Sequence, residues 1–148
     1  MNKETIVSET VTVSTFANPF LSLLPSDNQD VNVTSVTFGV TADCIITCHQ
    51  FVKSGIPGGG SAANVNSAGG KLKTAAPVSA LKSHNSAGTK TILWQERYKA
   101  AEGSRTRTGL MTLNGSGVAD ADRRGLCFTT DANCDVSYVV TCDIDHGA

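Results

Sequence analysis

The 148-residue sequence is short of aromatic residues (5%) and of charge (17%), and it has only one Trp and two Tyr. It has no long hydrophobic run: its apolar stretches last a handful of residues, far below the roughly 20 a spanning helix requires, so a membrane-embedded chain is excluded. A face carrying apolar residues at i, i+3, i+4 and i+7 is also missing, and packed helices need one. Gln95–Glu102 and Ala119–Arg124 can each make a helical turn at most. The N-terminus has no apolar core or small-residue cleavage site of a secretory leader, which points to synthesis in the cytoplasm. Strong net charge is absent too, with 12 Lys+Arg against 13 Asp+Glu. Together with 40% hydrophobic residues, this balance argues against a disordered chain and for one domain over 1–148.

What is present is a two-residue rhythm. Val36, Phe38, Val40, Ala42, Cys44, Ile46 and Cys48 fall on one parity and more polar residues on the other. This is the pattern of a pleated strand with one buried face, either one long bent strand or a hairpin turning at Thr41–Asp43. A second clear strand runs over Val136–Ile144. Weaker ones are read at Thr5–Thr15, Lys90–Lys99, Thr106–Leu113 and Gly125–Thr130 from their Thr, Val, Ile and aromatic content. Strands separated by Gly, Asn, Ser and Asp, with no helices between them, predict an all-β fold. The expectation is an antiparallel β-sandwich or jelly-roll-like barrel with long Gly/Ala-rich loops and at most one or two short helical turns.

Two segments interrupt this pattern. Ser54–Gly70 holds six glycines, and Ala75–Gly88 has a similar character, so 54–88 is read as a long flexible loop region, either a surface excursion or a segment that becomes ordered against a neighbouring subunit. Phe16–Pro25 (FANPFLSLLP) is apolar without alternation. It is expected to cross the open end of the core. The competing reading makes residues 1–25 an N-terminal arm that docks Phe16, Phe20, Leu21, Leu23 and Leu24 on another subunit.

Charge runs in blocks: residues 53–107 carry a net +7, flanked by −4 on each side. Arg105-Thr-Arg107 in a strand would put two guanidinium groups on one side about 7 Å apart, near the phosphate spacing of a nucleic-acid strand. With Arg97 and Lys99 they form the candidate electrostatic contact, either to non-specific nucleic acid or to a neighbouring copy. The bland alternative is cancellation by ion pairs inside the fold.

Catalytic and metal motifs fail on spacing. Cys44, Cys48 and His49 in a strand do not converge, since the two sulfurs would be about 13 Å apart, and no zinc site is expected. Asp131-Ala-Asn133-Cys-Asp135 begins like a calcium loop but lacks the glycine and the terminal acid, and Asp120-Ala-Asp122 fails likewise. GIPGGGSAAN has no GK[ST] and no following helix. His49, His84 and His146 show no triad spacing, so an enzyme is not expected, nor is any cofactor. The five cysteines are odd in number and are read as free, buried thiols.

These features point to a self-assembling structural subunit, such as a viral or phage capsid, decoration or tail protein, forming a homo-oligomer or larger particle and residing in the virion. The alternatives are a ligand- or carbohydrate-binding sandwich, with Trp94 and Tyr98 on one strand face as its platform, and a small enzyme with a dispersed Cys/His/Asp site.

Overall fold

A computed structural model describes residues 3–26, 30–68 and 78–145. Its strands are β1 (Lys3–Thr12), β2 (Leu21–Pro25), β3 (Asp30–Val40), β4 (Cys44–Val52), β5 (Gly59–Ala62), β6 (Val65–Ala68), β7 (Val78–His84), β8 (Lys90–Tyr98), β9 (Arg105–Asn114), β10 (Arg124–Thr130) and β11 (Asp135–Asp145). Three single 3-10 turns, at Lys53–Gly55, Ala100–Glu102 and Asp120–Asp122, are its described helical structure, one more than expected.

Pairing is nested: β1 joins β11, β2 joins β10, β3 joins β9 and β4 joins β8, all antiparallel. The chain thus behaves as one long hairpin whose arms roll up together. Further pairing of β11 with β3 and of β10 with β4 makes two sheets, ordered β6-β1-β11-β3-β9 and β5-β7-β2-β10-β4-β8. Setting aside β5 to β7, this is the eight-strand jelly-roll order. The sheets remain two open layers with free edges, so the architecture is a sandwich and not a closed barrel.

Three sequence readings change. Residues 36–52 are neither one strand nor a hairpin: β3 and β4 belong to different sheets, and 41–43 carry the chain across the sandwich. Within 1–25, the arm reading gives way to two integral strands, β1 and β2, one in each sheet. Within 54–88, the described residues hold β5, β6 and β7. β7 extends the second sheet from β2, β5 adds to β7, and β6 caps β1, so the insertion ties together the same side of both layers. Residues 69–77 of that region lie outside the described residues, as does His146.

The period-2 pattern explains the core. Val7, Val11, Val36, Phe38, Val136, Tyr138 and Val140 from one sheet meet Leu21, Leu23, Ile46, Cys48, Leu126 and Phe128 from the other. At its centre the Phe38 and Phe128 rings meet at 5.3 Å, Phe20 lies 5.7 Å from Phe38, and Tyr98 lies 5.6 Å from Phe38. Edge-to-face pairs of this kind add about 0.5–1.5 kcal/mol each beyond the area they bury. A second small cluster, Leu24, Phe51 and Cys127 under Ile56, covers the outer side of the second sheet. Gly125 makes this possible, because a Cβ there would stand 2.3 Å from the Leu23 carbonyl oxygen and 2.6 Å from the Phe51 ring.

Candidate functional site

The basic residues singled out by sequence sit where the two sheets end side by side. Arg105 and Arg107 pair with Phe38 and Val36 across the β3–β9 ladder, so their side chains leave the inner face of β9. Directly across the gap, the edge strand β8 turns Trp94, Glu96 and Tyr98 inward. Arg105 donates to the Glu96 carboxylate at 2.8 Å and to the Arg97 carbonyl at 2.6 Å. Arg107 lies 3.7 Å from the other Glu96 oxygen, and its guanidinium stands 4.1 Å from the centre of the Trp94 ring. The Tyr98 hydroxyl donates to Glu96 at 3.1 Å, and Arg105 covers the Tyr98 ring at 5.5 Å. One carboxylate, two guanidiniums and two aromatic rings therefore clasp the edge of the sandwich. Burial raises the Tyr98 phenol, with the Glu96 charge next, which keeps it a neutral donor.

The expected same-side projection of Arg105 and Arg107 holds, and both are engaged within the chain. Arg97 points to the exposed face of β8, and exposed Lys99 lies 4.0 Å from Glu102. These two remain as surface cations. Tyr98 is buried and Trp94 is capped by Arg107, so the aromatic platform of the carbohydrate alternative is absent from this face.

The apolar segment divides differently from its docking reading. Phe20, Leu21, Leu23 and Leu24 are all buried within the chain itself, whereas Phe16 is 50% exposed. β2 lies between β7 and β10 and is covered on both faces. That leaves its leucines nothing to offer a neighbour and corrects their assignment as inter-subunit contacts.

The titratable interior is closed. His49 Nε2 bonds Thr129 Oγ1 at 2.8 Å, and burial, with Lys90 adding, pushes its pKa down to about 4. His84 bonds Ser22 Oγ at 2.8 Å and is lowered chiefly by burial. Cys44, Cys48, Cys127, Cys134 and Cys142 are free and buried, and desolvation pushes all but Cys134 up to about 12. Among the described residues, no three His, Cys, Asp or Glu side chains group as a metal site.

Two surfaces were not legible in the sequence. Ile92 (57% exposed) and Leu93 (42%) lie side by side on β8, the free edge of the second sheet. The outer face of the first sheet is rich in hydroxyls along its middle and carries the acids Asp30, Asp135 and Asp143 toward its ends. Thr10 bonds Ser137 at 3.0 Å, Thr37 bonds Thr106 at 2.7 Å, and Thr112 donates to Asn32 at 3.2 Å, with Val139 exposed among them. A cleft of about 330 Å³ opens between the layers, with Gln50, Asn114, Asp122 and Arg124 over a Leu113 floor.

No family model and no curated protein matches the chain. Among solved structures it is similar to the T13 particle of infectious bursal disease virus, at 8% identity over 97% of this chain and 39% of that one, with a TM-score of 0.22. Structures of the Gx and Gt strains of that virus align at 11% and 9% identity, also over 97% of this chain and over 41% and 40% of theirs, each with a TM-score of 0.19. The chain spans about two fifths of the length of these proteins, and overlaps at such TM-scores carry no argument. The functional reading has to rest on this chain's own strand order and surfaces.

Proposed function

We propose that the chain is a self-assembling structural subunit, of the kind that builds or decorates a viral or phage particle, and that it has no catalytic role. The observation that carries this reading is the nested jelly-roll order of eight strands. That architecture serves capsid shells, and it also serves lectins and cupins, so the argument is one of fold-level analogy. The free β8 edge tilts it toward assembly. Ile92 and Leu93 stand exposed at a bulge in β8, and Arg105 takes the Arg97 carbonyl, so what the edge offers a neighbour is the aliphatic pair and not an open ladder. Of the four candidate cations, Arg97 and Lys99 are left for nucleic-acid contact, since Glu96 holds Arg105 and Arg107.

The test is light scattering coupled to size exclusion, with electron microscopy of the same fractions. The expected outcome is a discrete oligomer or particle at micromolar protein. A monomer under those conditions overturns the reading.

A further inference from the structure

We propose that the cleft between residues 12–20 and 83–85 binds a neutral sugar, one pyranose unit at the end of a glycan. Its volume is about 310 Å³, at the lower end of ligand sites, which run from about 300 to 1,000 Å³. That size suits a small ligand.

The backbone of the cleft is fixed and its side chains are free. The Val13 N–H donates to the Cys134 carbonyl at 2.8 Å, Asn18 to Thr15 at 3.0 Å, His84 to Pro19 at 3.0 Å and Asn85 to Gly58 at 3.0 Å. By contrast, the side chains of Ser14, Thr15, Asn18, Ser83 and Asn85 make no hydrogen bond to any described residue. Three hydroxyls and two amides, on exposed Ser14, Thr15, Ser83 and Asn85 and half-buried Asn18, thus stand around a fixed backbone with no partner in the chain among the described residues. Ser83 adopts a φ of 57°, a left-handed conformation rare outside glycine. The bonds of Ser83 and His84 to the Phe20 and Pro19 carbonyls hold it there, at 3.3 and 3.0 Å, and the kink brings the Ser83 and Asn85 segment to the cleft.

Charge selects the ligand class. No Lys, Arg, Asp or Glu lines the cleft. Lys82, one residue away, is paired with Glu9 at 3.2 Å. His84 uses Nε2 on Ser22 and Nδ1 toward the Gly58 carbonyl at 3.3 Å, and burial keeps it neutral. A phosphate or carboxylate finds no cation, an amine finds no anion, and an apolar ligand would strand the rim hydroxyls without partners. Pyranose hydroxyls, each both donor and acceptor, match hydroxyl and amide groups, and buried Val13, Pro19 and Phe20 form the floor beneath them.

The experiment is saturation-transfer NMR on the full chain. The probes are the methyl glycosides of glucose, galactose, mannose, N-acetylglucosamine and N-acetylgalactosamine, with N-acetylneuraminic acid and galactose 6-sulfate as charged counterparts. At least one neutral glycoside is expected to bind at millimolar concentration and the charged ones are not. Asn18→Leu should weaken binding about tenfold or more, the effect of losing one buried hydrogen bond. Should that variant misfold, Ser83→Gly removes a hydroxyl while relieving the left-handed strain, so binding should fall with thermal stability unchanged or raised. No binding by any neutral glycoside, binding of the charged sugars alone, or binding indifferent to both substitutions would each overturn the assignment.

Discussion

Replacing Arg107 tests the edge clasp directly, because its guanidinium covers the ring of the single tryptophan. At 4.1 Å from the ring centre and 38% exposed, that contact is worth about 0.5–2 kcal/mol. The 3.7 Å approach to Glu96, also near the surface, adds about 0–1 kcal/mol. Glu96 keeps Arg105 at 2.8 Å and the Tyr98 hydroxyl, so removing Arg107 leaves no orphaned carboxylate to inflate the loss. Arg107→Ala should therefore cost about 0.5–3 kcal/mol, which in a chain of this size lowers Tm by roughly 1–12 °C. Arg107→Met keeps the apolar stem and should recover part of the loss. Trp94 emission should shift to longer wavelength and its quenching by acrylamide should increase in Arg107→Ala. A variant with unchanged quenching and a Tm within about 1 °C of the parent would show that the two sheet edges are not joined through this contact.

Two further outcomes follow from the interior. The folded pKa of His49 lies near 4, below the ordinary 6.5, so the unfolded chain binds more protons between those values. Stability is complete above about pH 6.5 and is lost as pH falls toward 4, by up to roughly 3 kcal/mol from this residue. Urea unfolding of His49→Gln should flatten that slope, leaving what His84 contributes; an unchanged slope refutes the assignment. Buried thiols with their pKa pushed up should resist alkylation in the native protein at pH 8. Denaturation without reductant should then give five adducts by mass spectrometry, and fewer would contradict the free state of the cysteines.

How much of this could be read in advance depended on whether a strand has one wet face. β11 has one and alternation located it within a residue, whereas β8, β9 and β10, the last buried from Gly125 to Thr130, were located within a residue by their Thr, aliphatic and aromatic content. β2 has none: Leu21–Pro25 is buried throughout, so both parities are apolar and the segment imitates a core-crossing stretch. β5 and β6, with Gly59, Gly60 and small polar residues, give no periodic signal because they lie on sheet edges, where pairing and not packing holds them. Register was invisible as well. The spacing of Arg105 and Arg107 correctly implied a shared side, but only the pairing of Arg107 with Val36 shows that the side faces inward, toward Glu96 and Trp94. The turn at 41–43 looked like a hairpin because local sequence does not distinguish a tight turn within one sheet from a corner between two.

The charge blocks resolve in a way that bears on assembly. The basic middle of the chain is drawn onto acids from both flanks: Lys82 meets Glu9 at 3.2 Å, and Lys53 meets Asp120 at 2.6 Å, the same carboxylate that Arg123 engages. Arg105 and Arg107 share Glu96, and Lys99 lies against Glu102. Only the Lys82–Glu9 and Lys53–Asp120 pairs cancel charge between blocks, because Glu96 and Glu102 belong to the basic block and are already counted in its net +7. The described surface that can associate without charge is the aliphatic pair on β8. Association through the aliphatic pair depends on apolar burial, which salt does not screen. The oligomer should therefore persist from low to molar salt, and Ile92→Lys with Leu93→Lys, placed on the free edge, should disperse it while leaving the monomer folded. Dissociation by salt alone, with the double substitution harmless, would move the contact to the exposed cations Arg97 and Lys99 and remove the β8 edge from the account.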